Sequence, residues 1–286
     1  MSSSPRTDPA RALKATTRWL AYAIVAAGAV IMLAPFWFML VFATHSNTEI
    51  LSVPPPAWFG DHLMANLADL YERRPHFWRS LGLSLWIAAA VAALNLFFCS
   101  LAGYAFAMFD FRGREPLFAL VLATMMLPTF ASMIPTILLM QSIGWIDSPK
   151  ALIVPGACGA LGIFMMRQYI GSSIPRELIE AARMDGCSEF SIYWRVVLPL
   201  LGPALGTLGL VTFIGSYNNF VGALLVLRDQ EHYTVPLVLR SLQGTTAVAI
   251  SALSAGAAVT VLPLLVIFAF FSRRLIEGLT AGAVKG

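Results

Sequence analysis

Residues 19–44 read WLAYAIVAAGAVIMLAPFWFMLVFAT, without one charged side chain. A bilayer hydrocarbon core of about 30 Å is crossed by roughly 20 apolar residues in helical form, so this stretch is long enough to span it. It is also too long for the apolar core of a secretory leader, and no small-x-small cleavage signature follows it, so it is expected to stay as a first transmembrane helix. The same search along the chain finds residues 81–109, 116–141, 151–166, 196–227 and 241–272. The fourth run is the shortest, interrupted by Pro155, Gly156, Gly159 and Gly162, and extends to Ile170; in the last, residues 250–271 form the spanning part. Composition agrees, because 12% charged residues in 286 is about half of what a soluble domain carries. The sequence predicts an all-α polytopic membrane protein with about six transmembrane helices.

Orientation follows from basic residues, which favour the cytoplasmic side in short loops. With the N-terminus inside, Arg6, Arg11, Lys14, Arg18, Arg112, Arg114, Arg167, Arg176, Arg183, Arg195, Arg273, Arg274 and Lys285 are cytoplasmic. Arg73, Arg74, Arg79, Lys150, Arg228 and Arg240 are outside, several of them beside Asp or Glu. Both termini are therefore expected in the cytoplasm. The net charge of +4 is accounted for by this asymmetry, and nothing in it calls for a nucleic-acid partner. Cys99, Cys158 and Cys187 fall in different parts of this layout and imply no disulfide framework.

All fifteen Asp and Glu residues lie outside the six runs. Proton- and ion-coupled transporters and intramembrane proteases keep ionisable groups at bilayer depth, so their absence argues against those classes, a secondary transporter included. Work against a gradient would then draw its energy from a cytoplasmic partner. A polytopic enzyme would need a cluster of His, Cys or carboxylates, but His45, His62, His76 and His232 lack metal spacing. No catalytic residue and no metal site is predicted.

The longest cytoplasmic connection, residues 174–200, reads IPRELIEAARMDGCSEFSIYWRVVLPL. Pro175 suits a helix start, Glu177 and Glu180 favour its positive end, and Gly186 is placed to end it in a left-handed conformation. Ser188 is positioned to cap a second helix running through Phe190, Ile192, Tyr193 and Trp194 toward Pro199. Leu178, Ala181 and Ala182 share one face of the first helix, and small side chains there allow close docking. An ordinary amphipathic interface helix, with Glu180 paired to Arg176 or Arg183, fits the same residues.

Glu180-Ala181-Ala182, Asp185-Gly186 and Leu198-Pro199 resemble, in identity and spacing, the EAA motif of ATP-binding-cassette (ABC) importer permeases. Cys187 and Val196 stand where that motif usually has Ala and Ile. The resemblance continues in residues 102–107 (AGYAFA), in Phe111-Arg112-Gly113-Arg114, and in the tail at residues 278–286, GLTAGAVKG, which look like the maltose-permease-type members of the carbohydrate uptake class. It implies the type I ABC importer permease fold, with a segment 1–18 and a tail 273–286 in the cytoplasm, a permease domain 19–272 and a coupling loop 171–199 that docks on an ATPase. It also implies a place in a prokaryotic plasma (inner) membrane, a homologous second permease subunit, a cytoplasmic ATPase dimer that carries ATP and Mg, and an extracytoplasmic sugar-binding protein. In relatives the tail, here Gly282, Lys285 and Gly286, reaches the ATPase dimer. This chain itself contains no GxxxxGK[ST] phosphate loop and is expected to bind no cofactor. The implied function is carbohydrate import, with a permease for glycerol phosphate or peptide as the alternative.

Within the bilayer, the densest polar group is Ser216, Tyr217, Asn218 and Asn219 in the fifth run. Amides and a phenol ring suit a polyol, by hydrogen bonding and by stacking on a sugar face, yet the same groups serve equally as bonds between helices. The resembled family has Trp-Asn-acid-Phe here, so Tyr217 replaces the Trp and Asn219 removes the acid. Asn95 is read as such an interhelical bond, and Pro128, Pro135 and Pro155 as helix kinks. The outer loop at residues 45–79, with Pro54-Pro55-Pro56, Trp58, Tyr71, Phe77 and Trp78, is a candidate contact for a binding protein or an interfacial anchor.

Overall fold

The structure, a computed structural model, describes residues 9–128, 130–243 and 249–283. It separates into two compact units, Met1–Leu70 with Ala247–Ala258, and Tyr71–Thr246 with Val259–Gly286.

In the first unit, helix α1 (Pro9–Phe42) carries the first apolar run, its spanning part being Arg18–Phe42. Asn66 closes its end by donating to the Ala43 and His45 carbonyls at 2.8 and 2.9 Å, which satisfies backbone acceptors that a helix terminus leaves open. The short α2 (Asn47–Ile50) opens with a capping box: Ser46 Oγ accepts from the Glu49 N–H, and Glu49 Oε2 accepts from the Ser46 N–H. Trp37 meets Trp58 and Phe59 edge to face and donates from Nε1 to the Ala57 carbonyl. The proline-rich loop is thus a folded piece held by aromatic contacts.

The second unit is organised around α4 (Phe77–Met108). Its buried positions include Ile87, Val91, Asn95, Cys99 and Ser100, the three- and four-residue spacing of one helix face. Against that face pack α7 (Lys150–Gly156), α8 (Ala160–Ser173) and α12 (Gly202–Tyr217). Gly103 sets the approach of α4 to α8: a Cβ there would lie 2.5 Å from Met166 Cβ and 2.8 Å from the Arg167 amide nitrogen. Small residues that let helix backbones meet replace, inside a bilayer, the hydrophobic drive available in water.

Among the described residues, four helices are long and apolar enough to cross a membrane: Arg18–Phe42, Phe77–Met108, Lys150–Ser173 and Ile250–Phe270. The count rises to five if the bent pair Glu189–Leu200 and Gly202–Tyr217, which meet at 81°, is taken as one broken span. Three of the six uncharged runs differ from continuous helices. Residues 116–141 come as α5 (Arg114–Met125) and α6 (Met133–Ser142), broken in the segment that holds Pro128. Proline lacks the N–H that a continuing helix needs and disfavours helical geometry in the residue before it. Residues 196–227 start within the bent pair and then break at Asn218 and Asn219 before α13 (Phe220–Val226). Pro155 sits at the end of α7, before the break that separates α7 from α8, whereas Pro135 lies in the first turn of α6, where it is tolerated. Two further helices are α3 (Leu63–Arg73) and α14 (Val235–Leu242), and the last, α15, runs from Ile250 to Ala283 without a break at residue 272.

Candidate functional site

The connection at residues 174–200 folds as two short helices. The first, α9 (Arg176–Met184), is preceded by Pro175 and ended by Gly186 at φ +79°. The Cys187 N–H donates to the Ala182 carbonyl and the Gly186 N–H to the Arg183 carbonyl, at 3.1 and 3.0 Å. These two bonds define a Schellman C-cap, which requires a left-handed residue at that place. Ser188 accepts from the Ser191 N–H and caps α10 (Glu189–Ile192), which continues through a π-helical turn at Tyr193–Val197 and through α11 (Leu198–Leu200). After Pro199 the chain bends at Leu201, with Pro203 early in the next helix.

Ile179 and Ala182 face the core formed with Met166, Ile170, Ile192 and Tyr193. Leu178, Ala181, Met184 and Asp185 face outward, Met184 being 88% exposed. The small-residue face expected at Leu178, Ala181 and Ala182 is thus divided: Ala182 packs inward, and Leu178 with Ala181 remain free to dock. Glu180 is exposed. Arg183 bonds to Glu189, at 2.6 Å from Nε, and Arg176 comes to 3.9 Å from Asp110, so both arginines have carboxylate partners other than Glu180. The bond to Glu189 holds the Arg183 guanidinium above its ordinary value. Phe190 and Trp194 stack at 6.3 Å on the exposed side of α10 and the π turn.

The second feature is a cavity of about 760 Å³ open to the surface of the second unit, between α4, α6, α7, α12 and α13. Ser216, Asn218 and Asn219 line it, with Ser132, Thr136 and Thr212 adding hydroxyls and Phe130 and Phe220 adding rings. Asn218 Nδ2 donates to the Ile214 carbonyl, and Asn219 Oδ1 caps α13 by accepting from the Gly222 N–H at 2.9 Å. Each amide keeps further donor or acceptor capacity after that bond. Tyr217 is different. It is 3% exposed, stacks on Phe213, and donates its hydroxyl to the Thr260 carbonyl at 2.9 Å. The structure makes Tyr217 a bond between helices and leaves the other three on the cavity wall. Asn95 is the interhelical bond the sequence suggested: Nδ2 donates to the Gly156 carbonyl at 3.1 Å, beside the break after α7, and Oδ1 lies 3.4 Å from Thr212 Oγ1.

Sequence reasoning missed Asp147, at φ 62° between α6 and α7. Its Oδ1 accepts from the Arg228 and Asp229 N–H groups at 2.9 and 3.0 Å, and Oδ2 lies 3.1 Å from His232 Nδ1. Burial pulls this carboxyl up, but the two N–H donors and His232 outweigh it and hold it below the ordinary carboxylate value. It pins the loop after α13 to the loop before α7, close to the cavity-lining residues Ala151 and Val226. Only the left-handed φ, which Asp tolerates better than most residues, hints at it locally. Of the expected tail contacts, Gly282 lies within α15, while Lys285 and Gly286 lie outside the described residues.

Comparison with known proteins adds a family. Residues 99–280 match the model described as "Binding-protein-dependent transport system inner membrane component". The chain is 37% identical over 221 residues to the arabinooligosaccharides transport system permease protein AraQ of Halalkalibacterium halodurans, covering 77% of this chain and 79% of that one. Against the protein of the same name from Bacillus subtilis it is 35% identical over 256 residues, 89% and 91% of the two chains. Among solved structures, a chain of a bacterial ABC transporter involved in the import of the acidic polysaccharide alginate superposes with a TM-score of 0.79, at 22% identity, over 96% of this chain and 100% of that one. This superposition shows the fold.

Proposed function

Because the chain belongs to the family of binding-protein-dependent transport system inner membrane components, we propose that it forms, with a second permease, the bilayer pathway of an ATP-driven carbohydrate importer. It is a multi-pass, non-catalytic membrane subunit. ATP and Mg belong to a cytoplasmic ATPase dimer, and an extracytoplasmic binding protein delivers the sugar. The cytoplasmic segment 1–18, permease domain 19–272 and tail 273–286 place both termini on the ATPase side.

The observation that carries this reading is the capped two-helix knob at residues 174–200. Its inward face is locked into the core by Ile179, Ile192 and Tyr193, and its outward face is left uncovered. In our reading Glu180, Ala181, Ala182, Asp185 and Gly186 form the element that seats on the ATPase, and Leu198-Pro199 lead its motion into α12. The cavity is the sugar route, with Ser216, Asn218 and Asn219 offering neutral hydrogen-bonding groups and no fixed charge, which suits a neutral polyol. The similarity to arabinooligosaccharide permeases supports carbohydrate as the substrate class. The aromatic-braced outer loop at Trp58 and Phe59 is the surface offered to the binding protein.

The test is uptake of labelled solutes by cells with the gene deleted and restored. Loss and recovery of an oligosaccharide's uptake is the expected result. Unchanged uptake of every carbohydrate, with loss of a peptide or glycerol phosphate instead, would show the substrate class to be wrong.

A further inference from the structure

We propose that Arg183, Glu189 and Tyr104 form a clamp that carries motion of the docked helix α9 into the membrane helix α4. The inference rests on the reading of α9 as the ATPase-docking element.

Arg183 binds Glu189 through two nitrogens, Nε to Oε1 at 2.6 Å and Nη2 to Oε2 at 3.3 Å. Bidentate pairing fixes direction as well as distance. Taken alone, the pair would be a half-exposed surface bridge of small consequence, since its side chains are 39% and 44% exposed. The third member changes that. Tyr104 projects from α4, is 2% exposed, and donates its hydroxyl to Glu189 Oε2 at 3.2 Å. One carboxylate therefore joins the end of α9, the start of α10 and a buried side chain of α4.

A second tie lies one turn away. Ser100 Oγ and Tyr193 Oη are 2.8 Å apart, both residues are buried, and the Tyr193 ring sits 5.8 Å from that of Tyr104. Phe109 closes the other side, 5.4 Å from Tyr104 and 5.6 Å from the Arg183 guanidinium. The knob is thus bonded to α4 on its inner side, while Leu178, Ala181 and Met184 on its outer side stay uncovered. Movement imposed on that outer side meets two routes inward, a packed apolar core and this hydrogen-bonded chain. The hydrogen-bonded chain is directional. It ends on a continuous helix that also supplies Val91 to the cavity wall and Asn95 to the bond at Gly156. Glu189 and Tyr104 are positioning residues: they touch no solute and act through α4.

The test uses the transporter complex purified through this chain and reconstituted in vesicles, with sugar transported per ATP hydrolysed as the readout. Glu189→Gln is expected to keep the ATPase subunit at normal stoichiometry while the sugar-to-ATP ratio falls about fivefold or more, the lower range of typical coupling factors. Tyr104→Phe should move the ratio in the same direction by less. The exchanged pair Arg183→Glu with Glu189→Arg should recover a larger part of the ratio than either change alone, which a general loss of packing would not produce. Size-exclusion recovery of each variant reports whether the complex still assembles. An unchanged ratio in Glu189→Gln overturns the clamp, and so does loss of the ATPase subunit in proportion to transport, which would make Glu189 part of the docking face. Gly186→Val is measured in parallel. If it uncouples while Glu189→Gln does not, the clamp alone falls; if it too keeps full coupling and full ATPase recovery, the docking reading falls.

Discussion

Replacing Gly186 separates backbone conformation from bulk, because a Cβ built at this position meets no atom within 4 Å. Crowding of a Cβ within this chain therefore does not account for a defect in it, and the intrachain cost of a substitution is the cost of holding φ +79°. For a non-glycine residue that conformation costs about 1 to 2 kcal/mol, less for Asn, whose short amide side chain is tolerated there, and more for a β-branched residue, up to about 3 kcal/mol. Should the chain relieve this strain by leaving the left-handed region, it loses the Cys187-to-Ala182 and Gly186-to-Arg183 bonds. Ser188 and α10 then leave their present orientation. At about 1.4 kcal/mol per factor of ten, the population holding the capped knob falls mildly in Gly186→Asn, about five- to thirtyfold in Gly186→Ala and further in Gly186→Val. The assay is ATP hydrolysis stimulated by sugar-loaded binding protein in reconstituted vesicles, beside recovery of the ATPase subunit. The expected order of retained stimulation is Gly, Asn, Ala, Val. If Val equals Gly, or if Asn is as damaging as Val, the left-handed cap is not what the knob depends on.

Tyr217→Phe removes one buried hydrogen bond to Thr260 and should lower stability by about 1 kcal/mol, read as a modest fall in the detergent unfolding midpoint, while sugar uptake keeps its half-saturation. Asn218→Ala should do the reverse, shifting half-saturation with little change in the midpoint; matching effects of the two changes would remove the distinction drawn between cavity wall and helix bond. Asn95→Leu strands the Gly156 carbonyl and should cost about 1 to 3 kcal/mol, seen as reduced complex recovery, and normal recovery would count against its role. Asp147 sets an acid sensitivity. Because its folded carboxyl titrates below the ordinary 3.8, its contribution is present above that pH and is lost as pH falls through the lower folded value; Asp147→Asn, which keeps the backbone conformation accessible, should flatten the unfolding midpoint against pH in that window, and an unchanged acid limb would refute the assignment.

The parts of this molecule that were legible in the sequence are those governed by neighbours along the chain. Pro175, Gly186 and Ser188 announce the start, end and restart of the two short helices; Gly186 and Ser188 occupy the places their backbone chemistry dictates, and Pro175 stands at the N-cap, one residue before the first helical position. The uncharged runs fix where helices cross, because desolvating a charge outweighs local propensity at bilayer depth. They do not fix where a run breaks. Residues 116–141 and 196–227 are uncharged throughout, and only Pro128, the Leu201-Gly202-Pro203 step and Asn218-Asn219 mark the interruptions. The cavity group was half legible for a geometric reason. Side chains on consecutive helical residues point about 100° apart, so Ser216 through Asn219 could not all face one side; Tyr217 turned toward Thr260. Asp147 with His232, and Tyr104 with Glu189, were invisible because each pair joins residues 85 apart in sequence, and no local pattern encodes such a meeting.

The central claim, that this chain converts ATP-driven closure of a cytoplasmic partner into sugar movement through the knob at residues 174–200, is tested most directly by transport in sealed vesicles containing the purified complex. Sugar-loaded binding protein is supplied outside and ATP with Mg inside. The account predicts accumulation that requires both, that a proton or sodium gradient cannot replace, and that Gly186→Val abolishes without loss of the membrane subunits. Accumulation driven by an ion gradient in the absence of ATP would contradict it.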